Sequence, residues 1–422
     1  MATSYRSSAA VLVAVRRALA RLFLLGGRGQ PLAPVKSASS RRLVAYFGQD
    51  CTDSAVIRRI SALQATGLEV VGFTFRRQKF NSDFVPTWDN VALGETRDRH
   101  YLGRLLKLAR AAWLIARHRR CLAGATLIYA RNIDMALCAL LAKLLSGSPA
   151  PLVYEVLDIQ RAFLGDRPFA KILRWVERCV LRCTRLLVVS SPGFMRNYFL
   201  PVQKYRGGWF LLENKILGTQ LRAAGSTLGQ TSARPAEHHN GRWVIGWFGT
   251  LRCVRSLDIL CRLADRCPDK VLIYLRGFPT ETSLESFLGV VQQRPNMIYD
   301  GEYFSPHDLP DLHKRIDFGW CFDFLDPGAN SDWLLPNRFY DCGYFNVPAL
   351  APTGTWTGQC ISTLGMGWTF KSPFADEIAR FLDTVTPQEV AARRANMAQL
   401  PRSLFCEEDD TLRLAKQLKI HR

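Results

Sequence analysis

The stretch "LVAYFGQDCTDSAVIRRISALQATGLEVVGFTF", residues 43–75, reads as strand, helix, strand. "LVAYFG" and "LEVVGFTF" are unbroken apolar runs, the pattern of strands covered on both faces. Between them the apolar positions of "SAVIRRISALQA" recur at helical spacing, with Thr52 or Asp53 as cap and Gly67 as terminator. A helix joining two strands lets them run the same way, so this unit predicts a parallel sheet.

The alternation continues outward. "ATLIYARN", "PLVYEVLD", "LLVVSSPG" and "GWFLLENKI" carry further strand runs, separated by helical patterns in "LGRLLKLARAAWLIARHRR", "DMALCALLAKLLSG" and "AKILRWVERCVLRCTR". Residues 221–241 are rich in small and polar residues and read as a linker. A second set then follows, with strands in "RWVIGWFG", "KVLIYLRG", "NMIYDGEY", "DFGWCFDF", "PALAP" and "GMGWTF". The expected division is a tail over 1–42, an α/β domain over 43–220, the linker over 221–241, a second α/β domain over 242–400 and a helical segment over 401–422. Two doubly wound sheets facing each other leave a cleft, where such sheets bind ligands.

The formal net charge of +20 is unevenly placed: residues 1–49 carry +8, residues 50–220 carry +13 and residues 221–422 carry −1. Only the first domain therefore suits an anionic surface. No nucleic-acid recognition module is legible, so nucleic acid is not the expected partner. The 12 cysteines include no C-x-x-C pair and lie largely in apolar segments, as buried reduced thiols of a cytoplasmic protein do. Arg16, Arg17 and Arg21 break the apolar run of the tail, which excludes a transmembrane span there. A transit peptide, a basic helix lying in a membrane interface and a poorly ordered extension all fit its composition.

Signatures of dinucleotide binding, P-loop chemistry, zinc proteolysis and serine hydrolysis are missing. Instead "GWFGTLRCVRSLD", residues 246–258, ends a strand at Gly249 and sets Arg252 and Arg255 three apart, within reach of phosphate oxygens. "NSDWLLPNRFYDCGYFNVP", residues 330–348, has Pro336 to open a helix at its first position and Asn346 to close it in the left-handed conformation. Phe339, Cys342 and Phe345 make an inward stripe, while Asn337 and Asp341 share another face. A helix N-terminus offers N–H groups to an anion, and an acid one turn further in accepts from sugar hydroxyls. That pairing suits a nucleotide. The competing reading is a set of ordinary solvated residues.

Together with "YEVLDIQRAFLG", "LLVVSSPGF" and "LLENK", in that order, these segments make residues 43–420 resemble a GT-B glycosyltransferase of the retaining group typified by family 4. The phrasing is similar to bacterial succinoglycan-type exopolysaccharide glycosyltransferases. The resemblance implies an α/β fold of two doubly wound Rossmann-like domains facing a cleft, with C-terminal helices. It implies a retaining, metal-independent hexosyltransferase with no permanently bound cofactor. The donor would be a nucleotide-diphosphate sugar and the acceptor a lipid-linked oligosaccharide or similar molecule. On this pattern Gly249 and Arg255 contact the donor phosphates, Arg252 joins them by proximity, and Asp341 stands where relatives carry a ribose-binding glutamate. The earlier glutamate of the pattern falls on Trp333, which leaves its role vacant or to Asn330, Ser331 or Asp332. Leu157 replaces a histidine that many relatives carry before Asp158. No catalytic nucleophile is identifiable.

On the acceptor side, Asp53, Arg131, Asn132, Asp158 and Arg161 follow predicted strands at their C-terminal ends, although Asp53 also reads as a helix cap. Lys171, Arg174, Arg178, Arg182 and Arg185 form one basic stripe, expected to face anionic lipid and hold the protein peripherally on the inner face of the plasma membrane. Two rival readings are a transferase-like binding or scaffold protein without turnover and a sugar-nucleotide epimerase of the same fold.

Overall fold

A computed structural model describes residues 42–77, 84–95, 111–218 and 241–420. Tail residues 1–41 and linker residues 219–240 lie outside the described residues, as does part of the helical pattern over 102–120. The first domain carries β1 (Leu43–Gly48), β2 (Glu69–Arg76), β3 (Asp89–Glu95), β4 (Leu127–Arg131), β5 (Leu152–Val156), β6 (Leu186–Val189) and β7 (Trp209–Leu211). Among the described residues they pair in parallel in the order β3-β2-β1-β4-β5-β6-β7. After β8 (Ile216–Leu217), the second domain carries β9 (Trp243–Leu251), β10 (Val271–Pro279), β11 (Met297–Tyr299), β12 (Phe318–Trp320), β13 (Ala349–Pro352) and β14 (Gly367–Phe370). Its sheet is also parallel, in the order β11-β10-β9-β12-β13-β14. Both sheets are doubly wound, and each has apolar clusters on its two faces. The expected α/β architecture of two Rossmann-like domains is what the chain adopts.

The helices that position the site are α1 (Ser54–Ala65), α2 (Asn132–Ser146), α3 (Pro168–Cys183), α4 (Val254–Arg266), α5 (Asn330–Trp333), α6 (Asn337–Tyr344) and α7 (Asp410–Gln417). Asp53 caps α1, its carboxylate accepting from Ala55 N at 2.8 Å. Three local features come from the structure. Strand β3, "DNVALGE", has residues depleted in strands; it pairs with β2 at the sheet edge, where Asp89, Ala92 and Glu95 are exposed and Leu93 is buried. Pro336 is the N-cap of α6 with ψ 154°, not its first helical residue, so Asn337 begins the helix. Two helices, Phe374–Thr384 and Pro387–Gln399, follow β14, the second opened by Pro387.

The terminal segment returns to the first domain. Leu414, Ala415 and Ile420 join Val56, Ile60 and Leu63 in one apolar cluster, and β15 (Cys406–Glu407) pairs with β8. Lys215 Nζ donates to Asp410 Oδ2 at 2.9 Å beside this seam. All 12 cysteines are free thiols, and Cys183 alone is exposed.

Candidate functional site

The C-terminal ends of both sheets meet across the cleft. On the second domain, Gly249 of β9 and Gly277 of β10 lie opposite one another two residues before these strands end, with φ of 111° and 121°. A Cβ on Gly277 would lie 1.8 Å from Gly249 O, so glycine is the residue that lets these strand ends approach. Beyond them Arg252 is exposed, with Nη2 3.9 Å from Asp323 Oδ2. Arg255, in the first turn of α4, lays its guanidinium over the Phe324 ring at 4.4 Å and is also exposed. Stacking holds that cation without neutralising it.

Helix α6 stands beside this rim. Phe339, Cys342 and Phe345 are buried as expected, and Asn346 has φ 55°. Arg338 Nη2 donates to Phe322 O at 2.9 Å, so the start of α6 and the perch of Arg255 share the segment that follows β12. Asp341 lies near Arg58, Arg338 and Tyr303. Burial pushes its carboxyl up to about 7, against the pull of Arg58 and Arg338. Tyr303 connects this acid to the glycine turn: its hydroxyl would lie 3.9 Å from a Cβ on Gly249, and it feels the charge of Asp341. Asn337 is exposed, its Oδ1 accepting from Asn214 Nδ2 at 2.9 Å.

The first domain faces this rim with Asp53, Asn132, Asp158 and Arg161. Asn132 has φ 67° and donates to Gln49 Oε1 at 3.2 Å, and Gln49 Nε2 donates to Asp134 Oδ2 at 2.6 Å. Asp158 keeps exposed surface, yet desolvation within the cleft raises its pKa, while Arg252 opposes that rise from the other domain. Asn132 and Asp158 line one small pocket with Tyr154, Gln160 and Phe163. Arg161 crosses to the second domain, where it pairs with Asp326 and donates to Leu325 O at 3.2 Å.

Three expected contacts have other employment. Arg131 is buried at 2% exposure, its Nε bonded to Glu155 Oε2 at 2.9 Å, so it belongs to the core beneath the cleft. Asn330 Oδ1 accepts from Ile159 N at 2.8 Å and its Nδ2 donates to Ile159 O at 2.9 Å and Asp326 Oδ2 at 3.0 Å. Ser331 Oγ accepts from Asp326 N at 2.8 Å and donates to Asp323 Oδ1 at 3.3 Å. Trp333 sits in the domain interface, where its carbonyl accepts from Ser191 Oγ. The turn to which the resemblance assigns sugar contact thus ties the domains together here.

Sequence reading missed Arg58, Arg338, Tyr303, Asp323 and Gly277. Arg58 lies mid-helix in α1 beside Arg59, and nothing local separates the two. Arg59 turns into the core toward Glu155, whereas Arg58 turns toward Asp341, with Nε lacking a partner. Gly277 has a linear signal, a glycine at the end of the strand after "GWFG", which pairs in register with Gly249.

The basic stripe lies along α3. Arg174 donates to Phe163 O and Gly165 O at 2.7 Å each, and Arg178 donates to Gln203 Oε1 at 3.0 Å. Lys171, Arg182 and Arg185 are exposed. Periodicity did not disclose their neighbours: Phe169, Ile172 and Trp175 are 63%, 58% and 59% exposed.

No protein-family model matches the chain. The succinoglycan biosynthesis protein ExoL of Rhizobium meliloti (strain 1021) is 33% identical over 379 residues, which is 89% of this chain and 93% of ExoL. Among solved structures, Anabaena HepE in complex with UDP and glucose is similar with a TM-score of 0.63 at 15% identity, over 90% of this chain and 100% of HepE. Sucrose-phosphate synthase from Thermosynechococcus elongatus gives 0.65 at 14% identity, over 90% of this chain and 98% of its own. At such identities the two structures speak for the fold and ExoL for the family. The chain belongs to the family of the succinoglycan biosynthesis protein ExoL and has the GT-B fold.

Proposed function

We propose that this transferase moves a hexosyl group, with retention, from a nucleotide-diphosphate sugar held on the second domain to a lipid-linked saccharide presented on the first. The reading is supported by Tyr303, which stands beside Gly249 and feels the charge of Asp341, and by Arg252 and Arg255, which rest on Asp323 and Phe324 of the segment after β12. Two cations and the N-terminus of α6 would stabilise charge on the leaving diphosphate, so the step needs no metal. Asp341 would accept from the ribose hydroxyls. HepE, of the same fold, is known in complex with UDP, which makes a uridine nucleotide the first candidate donor carrier. The test is thermal stabilisation by UDP, GDP, ADP, CDP and dTDP in turn. One of them should raise the melting temperature, and Arg255→Ala should weaken that nucleotide roughly 10-fold or more, the worth of a charge-assisted contact. A flat response across all five would remove the pocket.

For the acceptor, the basic stripe of α3 with its exposed Trp175 and Ile172 matches an anionic bilayer, since aromatic rings and cations share the headgroup region. The protein would work peripherally on the cytoplasmic face of the membrane. Binding to phosphatidylglycerol vesicles should fall with salt, and neutralising Lys171, Arg182 and Arg185 together to Gln should weaken it about 100-fold, at roughly 1 kcal/mol per residue. Equal sedimentation with neutral phosphatidylcholine vesicles would count against the assignment.

A further inference from the structure

Asn330 opens α5 and extends its amide into the opposite domain, where both polar groups of Ile159 receive it. The Ile159 N–H donates to Oδ1 at 2.8 Å, and Nδ2 donates to Ile159 O at 2.9 Å. This is a reciprocal pair, like one rung of a sheet, between the start of α5 and a loop of the first domain. The second hydrogen of Nδ2 goes to Asp326 Oδ2 at 3.0 Å, and Asp326 also pairs with Arg161. An amide so engaged has no donor left for a sugar hydroxyl.

The partner loop follows β5 and carries Asp158 immediately before Ile159. Its own domain holds the loop at either end: Ser190 Oγ donates to Leu157 O at 3.0 Å, and Phe163 N donates to Gln160 O at 2.9 Å. Asn330 fixes the peptide in between. Arg252, from the opposite domain, favours the charged form of Asp158. We propose that Asn330 is a positioning residue: its pair with Ile159 forms when the domains close, and closure then sets the acceptor-side Asp158 opposite Arg252 above a bound donor. The inference rests on the reading of the cleft as the site of transfer.

The test uses Asn330→Ala and Asn330→Asp in the full chain, with X-ray scattering and with release of nucleoside diphosphate from UDP-, GDP- and ADP-hexoses. For Asn330→Ala the expected result is a larger radius of gyration and a kcat at least 10-fold lower, with KM for the nucleotide sugar and affinity for its nucleoside diphosphate within twofold of wild type. Asn330→Asp keeps the acceptor for Ile159 N–H but loses the donor and adds a carboxylate beside Asp326. It should match the alanine variant at pH 8 and recover, as a ratio to wild type, toward pH 5 as that carboxyl gains a proton. Asp158, Asp323, Asp326 and Arg161 surround this position in both proteins, so the ratio is the readout. Unchanged scattering would overturn the proposal. So would a raised KM at constant kcat, which would return Asn330 to the donor sugar, or a lowered melting temperature with kcat intact. If the wild type neither binds a nucleotide nor turns over, the reading of the cleft has failed, and scattering alone decides the clip.

Discussion

Asp341→Asn is expected to weaken nucleotide binding roughly 10- to 150-fold at pH 8, because a hydrogen bond to a charged group contributes about 1.5–3 kcal/mol. The pH dependence gives the sharper signature. Burial lifts the Asp341 carboxyl to about 7, so the ligand-free acid is protonated in mildly acidic solution and ionised above neutrality. Its folded pKa is raised, so charging costs stability progressively from the ordinary aspartate range up to about 7 and no further above it. On the proposed reading ribose hydroxyls would donate to the carboxylate, hence nucleotide affinity should rise with pH to about 7 and then level. Below that pH, binding should release a proton. Calorimetry in buffers of different ionisation heat measures both effects. The substituted protein should give a flat profile; one that still climbs would place the titrating group elsewhere.

Glu155→Gln is expected to destabilise the protein by roughly 3–5 kcal/mol, the usual cost of leaving buried charge uncompensated. Glu155 has 0% exposure and accepts from Arg59 Nε at 3.0 Å and Arg131 Nε at 2.9 Å, both arginines being buried. Burial pushes its carboxyl up, but Arg131 and Arg59 outweigh that and hold it below the usual range. A depressed acid stabilises the fold above its unfolded pKa and loses that contribution as pH falls through the folded value. The wild type should therefore lose part of its advantage over Glu155→Gln in strong acid. Chemical denaturation at pH 8 measures the difference, and a midpoint that does not move would show that the two cations find other compensation. Arg59 also reaches Glu407 at 3.6 Å, so the substitution should loosen the returning C-terminal segment as well.

The proposed nucleotide side was readable because its parts are local. Gly249, Arg252 and Arg255 lie within one strand exit, and Asp341 follows Asn337 by one helical turn. Periodicity and turn chemistry report such neighbours directly. Arg58 shows the limit of that method: two adjacent arginines on α1 have opposite fates, one neutralised in the core and one left facing Asp341. Asn330 shows it again. A polar residue just before a proposed donor-binding helix reads as a ligand contact until the opposite domain claims both ends of its amide.

The amino-acid order alone determined the parallel α/β class, the two-domain alternation and the candidate residues of the proposed donor rim, since each rests on contacts within a few residues or one βαβ unit, and its ordered segments carried the resemblance to the family. Only the tertiary structure decided that β3 joins the sheet, that Arg131 serves the core, that the last helix returns to the first domain, and that α5 ties the domains together. These follow from burial and pairing between segments far apart in the chain, where a charge or amide takes its role from whatever desolvates it.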